Sequence, residues 1–236
     1  NGNVLLNAKT PSKSGVRLKT DDTVIINFPA EKAPLQYDMK QLDALGIEIV
    51  AIHEDFLILY KPAGVLVHKP SHYNAELCLV DWLLGKYKEI ATVGFNGRPG
   101  IVHRLDKDTS GLIMVALNNA SHVALSNLFK NRLIEKVYLA LVKGHPEKEG
   151  FIEFPIGRHV TLRNKMAHVP TGRASKTDYK VLEYYEGTSL VEVKPITGRT
   201  HQIRVHFATR GHPLIGDTLY GQVSKQIKRQ ALHAHK

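Results

Sequence analysis

Only one cysteine, Cys78, and one tryptophan occur in the 236 residues. That scarcity excludes an internal disulfide and any zinc site built on several thiols. Cys78 lies in the apolar run Leu77-Cys78-Leu79-Val80, where a buried core thiol is the natural reading. The 13 histidines do not make up for it. His201 and His206 are spaced as i and i+5, His233 and His235 as i and i+2, and neither HExxH nor a Cys/His ligand spacing occurs, so no metal is expected. Long hydrophobic runs are also missing. Leu112 to Leu117 is among the longest, far short of the roughly 20 residues a membrane-spanning helix needs. No signal peptide is visible, and because the chain opens at Asn1 without an initiator Met, an upstream segment is expected. Acidic residues are in the minority, 22 against 32 Lys and Arg, giving a formal charge of +10 and a pI near 9.6. Such a balance favours a polyanionic partner, which charge alone leaves open among RNA, DNA, anionic membrane and acidic protein.

What is present is strand-rich. Asn3 to Asn7 forms a short strand-like run, and Val16-Arg17-Leu18 with Asp21 to Ile26 reads as a hairpin arm. Some thirty residues of basic β structure cannot fold alone. They resemble the trailing strands of an S4-type RNA-binding domain, so residues 1–33 are read as a partial S4-like module. Pro29 to Gly46 lacks periodicity, and residues 34–46 are read as a linker. From residue 47 to 236 strands dominate: Ile47 to Ile52, Phe56 to Tyr60, Val65 to His68, Leu112 to Leu117, Lys136 to Val142, Phe151 to Ile156, Ala174 to Leu182 and Ser189 to Lys194. Helices are expected over Leu77 to Tyr87, over a segment capped by Ser121 and ending near Lys130, and over Arg199 to Arg210 before Gly211. Without regular βαβ alternation or an internal repeat, the pattern predicts an α+β fold with a largely antiparallel mixed sheet and flanking helices and loops.

One stretch breaks this pattern. In GIVHRLDKDTSGL, Gly100 to Leu112, the residues His103, Arg104, Asp106, Lys107, Asp108, Thr109 and Ser110 interrupt two apolar runs. A polar loop held at a sheet edge is a natural place for function. Asp106 leads the candidates, since a carboxylate kept ionised in a partly desolvated pocket can act as a nucleophile, provided a permanent cation accompanies it. Arg199 is the cation the sequence suggests. Asp108 invites a paired-carboxylate, glycosidase-type reading: on one strand face the two would be about 6 to 7 Å apart, close to the roughly 6.5 to 9.5 Å of an inverting pair. Its place before Thr109-Ser110-Gly111 favours a turn-shaping role in which the carboxylate accepts backbone N–H bonds.

HRLDKDTSGL, His103 to Leu112, resembles the catalytic motif of RNA pseudouridine synthases of the RluA/RluD type. Three further stretches carry the resemblance in the same order: EDFLILYKPAGVLVH from Glu54, KVYLALVKG from Lys136, and KPITGRTHQIRVHFATRGHPLIGDTLYG from Lys194. The family's pattern usually extends beyond both ends of this chain, so the catalytic domain is expected to be truncated at its C-terminus. The resemblance implies isomerisation of uridine to pseudouridine in structured RNA, without metal or cofactor, by a cytoplasmic, monomeric protein that does not engage membranes. It implies Asp106 as the attacking carboxylate, at C1′, at C6 or as a base at C2′, with Arg199 paired to it. Tyr138 would lie on the uracil face. Arg104 would occupy the space left when the nucleotide flips out. His103, Lys61 and Lys107 are the remaining candidate RNA contacts. The S4-like extension favours large-subunit (23S-type) ribosomal RNA, with transfer RNA as the second substrate class; a non-catalytic RNA-binding module and a nucleoside glycosidase are the readings from other classes.

Overall fold

The computed structural model describes residues 4–12, 15–27, 37–69, 75–94, 97–162 and 164–236. The chain divides into two compact units, Asn1–Gln36 and Tyr37–Lys236. In the first, strand β1 (Val4–Leu6) pairs antiparallel with β2 (Val24–Ile26). The expected hairpin arm at Val16 to Leu18 is not a strand, and β2 pairs instead with the earlier run. Asn7 explains the choice, because its side chain donates to Asp22 (2.8 Å) and accepts from the Thr23 N–H (2.9 Å), closing the β1–β2 end.

The division falls after Gln36, ten residues before the expected end of the linker. Within the supposed linker, Met39–Asp43 is a short helix, α1, capped by the Asp38 carboxylate and anchored by Leu42, which is fully buried. Leu42 gives the segment a reason to be ordered that its mixed charge concealed.

The second unit is built on an eight-stranded sheet. Its strands are β3 (Glu48–Ile52), β4 (Phe56–Lys61), β5 (Ser110–Ala116), β6 (Tyr138–Lys143), β7 (Glu149–Glu153), β10 (Lys176–Tyr185), β11 (Thr188–Pro195) and β12 (Leu232–Ala234), in the order β3-β4-β5-β12-β6-β11-β10-β7. A small separate pair, β8 (Ile156–Arg158) and β9 (Met166–His168), lies outside it. Every pairing in the large sheet is antiparallel except that of β12 with β5. The α+β fold with a largely antiparallel mixed sheet is therefore observed. β4 and β11 alternate half-buried and buried side chains along their length, the period-2 pattern that places one face on a core.

Helices cover the sheet. α2 (Leu79–Lys86) packs Leu79, Trp82 and Leu83 with Leu57, Leu59, Ile113 and Val115 from β4 and β5. α4 (Gln202–Thr209) packs Ile203 and Phe207 with Val142, Val191 and Val193 from β6 and β11. α3 (Asn119–Lys130) begins one turn earlier than expected: Asn118 is the N-cap, accepting from the Ser121 N–H at 2.8 Å, and Ser121 is the answering residue of a capping box. The expected strand from Val65 to His68 is reduced to a single bridge, Leu66 with Cys78.

β12 joins the two cores, with Ala234 in one and Leu232 in the other, and Tyr138 packs against both. The seam beside β12 is where the polar loop emerges. Gly111 makes the seam possible: its φ is +122°, and a Cβ there would lie 2.2 Å from the Ala234 carbonyl oxygen.

Candidate active site

The loop Arg104–Thr109 closes on itself through the Thr109 N–H, which donates to the Asp106 carbonyl at 3.1 Å. This backbone bond makes the turn, a task expected of the Asp108 carboxylate. The loop is then tied down from two directions. Lys61, fully buried at the end of β4, donates to the carbonyls of Pro62 (2.9 Å), Val65 (2.8 Å) and Lys107 (3.0 Å), and the Gly64 N–H adds a bond to the Lys107 carbonyl. From the other side the Arg229 guanidinium donates to the carbonyls of Asp108 (3.2 Å), Gln230 (2.9 Å) and Leu232 (3.2 Å) and to the Ser110 hydroxyl (3.3 Å), while Gln230 reaches Thr109.

Asp106 faces a cavity of about 560 Å³, large enough for a nucleotide base and sugar, and is the only carboxylate lining it among the described residues. Its Oδ2 accepts from Arg204 Nη1 at 3.2 Å, with His201 Nε2 at 3.8 Å from the same oxygen. Arg204 is itself held by a two-pronged pair with Asp217, Nε to Oδ2 at 2.7 Å and Nη2 to Oδ1 at 2.9 Å. Asp217 accepts also from the N–H groups of Leu219 and Tyr220, and the Tyr220 ring lies 5.0 Å from the guanidinium. Burial alone would weaken the charges, but the two carboxylates raise the Arg204 pKa, and Arg204 with the two N–H donors holds Asp217 below the usual carboxylate value.

This corrects the assignment of Arg199 as the partner of Asp106. Arg199 lines the cavity, but its Nε donates to the Ala174 carbonyl at 3.1 Å. The reason is where the helix begins. His201 has φ +55° and caps α4, so Arg199 belongs to the preceding loop, whereas Arg204 lies within the first turns of the helix. Gln202 fixes that loop, accepting from Thr197 Oγ1 (2.6 Å) and the Arg199 N–H (3.0 Å) while donating to Lys176 O and Thr177 Oγ1, both at 2.9 Å.

Tyr138 lines the cavity from the start of β6, where burial first and the Asp106 charge second raise its pKa and keep it a neutral phenol. Arg104 is exposed on the cavity wall. His103 also lines it, but its Nε2 accepts from the Met114 N–H at 2.9 Å and its ring stacks on Phe129 at 4.4 Å. Burial lowers its pKa to about 4, so it is a neutral structural group rather than a phosphate contact. Lys61 and Lys107 do not line the cavity: the first is the buried strut just described and the second pairs with Glu76 at 2.7 Å. Asp108 is also outside the lining, so no paired-carboxylate site of the glycosidase kind is formed.

Arg204, Asp217, His201 and Arg229 escaped the sequence reading. Arg204 alone left a signal, a permanent charge placed between Ile203 and Val205 on a helix that buries both.

The family model of the RNA pseudouridylate synthases matches residues 55–209. The chain belongs to that family. It is thus an RNA-modifying isomerase. An uncharacterized RNA pseudouridine synthase of Aquifex aeolicus is 40% identical over 234 residues, 98% of this chain and 72% of that one. A ribosomal large subunit pseudouridine synthase D of Nitrosomonas europaea is 41% identical over 203 residues, 82% of this chain and 58% of the relative. Among solved structures, human RNA pseudouridylate synthase domain containing 1 superposes with a TM-score of 0.64 at 36% identity, covering 80% of this chain and 76% of that one. No helix among the described residues is long and apolar enough to cross a membrane, and no cluster of ligands there could hold a metal ion.

Proposed function

We propose that this synthase converts uridine to pseudouridine in large-subunit ribosomal RNA, using Asp106 as the reacting carboxylate on a nucleotide flipped into the cavity. The observation that carries the reading is the Asp106–Arg204–Asp217 chain: among the described residues, the only carboxylate on the cavity wall is held by a cation that is itself fixed by a buried carboxylate. Such a group is held in position for its task. Arg204 and His201 both face Oδ2, which leaves Oδ1 as the reacting oxygen.

In the reaction the C1′–N1 bond breaks, the uracil turns, and C5 bonds to C1′. The C5 proton leaves and N1 gains one, so atoms balance without a cofactor. Tyr138 packs against the uracil, and its neutral hydroxyl is available to polar atoms of the base. A base inside a stacked helix is out of reach, and extruding it costs a few kcal/mol; Arg104, exposed on the cavity wall, fills the space it leaves. The ribosomal substrate is supported by the names of relatives such as those of Nitrosomonas europaea and Zymomonas mobilis, both ribosomal large subunit pseudouridine synthase D.

The test uses large-subunit ribosomal RNA and transfer RNA carrying tritium at uridine C5. Tritium release from the ribosomal RNA, with no free uracil and none from Asp106→Asn, is expected. Release from transfer RNA alone overturns the substrate, and equal release by Asp106→Asn overturns the role of the carboxylate.

A further inference from the structure

Besides Arg204, five cations among the described residues line the cavity: Arg104, Lys130, Arg132, Lys136 and Arg199. Against them stands one carboxylate, Asp106, already engaged by Arg204. Most of these side chains reach water, where a cation is comfortable. Lys136 is different. It is half-buried, and among the described residues its Nζ has no hydrogen bond and no ion pair. Burial and the neighbouring Arg132 charge both act against its protonated form. Glu135, adjacent in sequence, is taken up by Lys194 (3.1 Å) and Lys236 (3.7 Å). A partly desolvated cation beside a second cation is unfavourable in the free protein and becomes favourable when an anion arrives.

The backbone puts both cations at the cavity. The Val137 N–H donates to the Lys236 carbonyl at 2.7 Å and the Val137 carbonyl accepts from His235 at 2.8 Å, so the chain is already extended before β6. Alternation then sets Lys136 on the side of Tyr138, and both line the cavity. Arg132 follows α3 with φ +62°. Its N–H donates to the Phe129 carbonyl (3.2 Å), and the Leu133 N–H to the Leu128 carbonyl (2.9 Å), a helix-ending turn at which glycine is the usual residue. Arginine is held there in a backbone conformation that is strained relative to glycine, and its side chain joins the cavity lining.

We propose that Lys136 and Arg132 form a phosphate subsite that takes an RNA backbone phosphodiester next to the nucleotide admitted to the cavity. The proposal rests on the reading of that cavity as a uridine site. Two features distinguish it from a solvated basic face: Lys136 is half-buried, and among the described residues no acidic side chain pairs with it.

The experiment uses large-subunit ribosomal RNA fragments and the full chain. Affinity is measured by filter binding from 50 to 200 mM salt for the Asp106→Asn protein with and without Lys136→Met, Lys136→Arg or Arg132→Met. Tritium release and thermal melting are measured on the same substitutions in the parent. Lys136→Met and Arg132→Met are each expected to weaken binding about tenfold and to lower the salt slope by about one counterion. Lys136→Arg is expected to restore most of the affinity, and free Lys136→Met to melt no lower than the parent. Unchanged affinity and slope overturn the subsite, as does a lowered melting point in Lys136→Met with equal loss in Lys136→Arg, which would mark a packing role. If the parent releases no tritium from ribosomal or transfer RNA, the uridine reading falls and the subsite with it; if the parent is active and the slopes are unmoved, only the subsite falls.

Discussion

Arg204 serves two carboxylates at once, and that double duty decides which arginine matters. Its planar fork satisfies Asp217 through two nitrogens and leaves Nη1 for Asp106 at 3.2 Å. A lysine has charge but no fork, so it can hold one partner only at the expense of the other. Arg204→Lys is therefore expected to lower kcat about 100-fold with a smaller change in KM, while Arg199→Lys, whose parent side chain bonds only a carbonyl, is expected to change kcat less than about threefold. Steady-state tritium release checks both, and comparable losses in the two variants would refute the assignment. Sequence reasoning found the need for a cation, because an aspartate between apolar runs requires one. It chose the wrong arginine because the two candidates are five residues apart and the helix start at His201, set by a left-handed residue that is not glycine, leaves no mark in the sequence. The same holds for Lys61: in its KPAG stretch it reads as an RNA contact, and only the three converging carbonyls reveal why it is buried.

At the scale of elements, strands were legible and their partners were not. The apolar runs of β4, β5 and β6 and the alternation of β11 are written in their residues, and their bounds fell within a few positions of those expected. Which strand lies between β5 and β6 depends on contacts more than 90 residues apart in sequence, and β12 is only the three residues Leu232–Ala234. So short a run carries no periodicity to read. Its insertion nevertheless places Arg229 and Gln230 against Asp108, Thr109 and Ser110, bracing the loop that carries Asp106. Gly111 permits that insertion, so Gly111→Ala is expected to destabilise the protein by about 3 kcal/mol, combining a clash with the Ala234 backbone and a φ that L residues avoid. Urea unfolding measures the change. A loss below about 1 kcal/mol would mean that β12 can shift aside.

At the scale of the whole molecule, His68, His103 and His206 are, among the described residues, held furthest toward the neutral form by their surroundings. His68, His103 and His206 each have pKa values lowered to about 4, in every case chiefly by burial. His206 is the clearest, fully buried, with its ring nitrogens against Thr177 Oγ1 (2.9 Å) and Ser175 Oγ (2.8 Å). In the unfolded chain the same rings take protons near pH 6.5. Between about 6.5 and 4 the unfolded state therefore binds more protons than the folded one, so stability falls as pH falls through that window and levels off below it. Carboxylates with ordinary pKa values titrate near 4, which leaves the stretch from pH 6.5 to 5 to the histidines. Urea midpoints are expected to be flat from pH 8 to 7 and to decline steadily from 6.5 to 5. His206→Gln, which retains hydrogen-bonding groups without a titrating ring, is expected to reduce the steepness of that decline whatever it does to the midpoint at pH 7.5. An unaltered slope in His206→Gln would show that its proton uptake on unfolding does not contribute, and a flat profile in the parent would remove the buried-histidine account altogether.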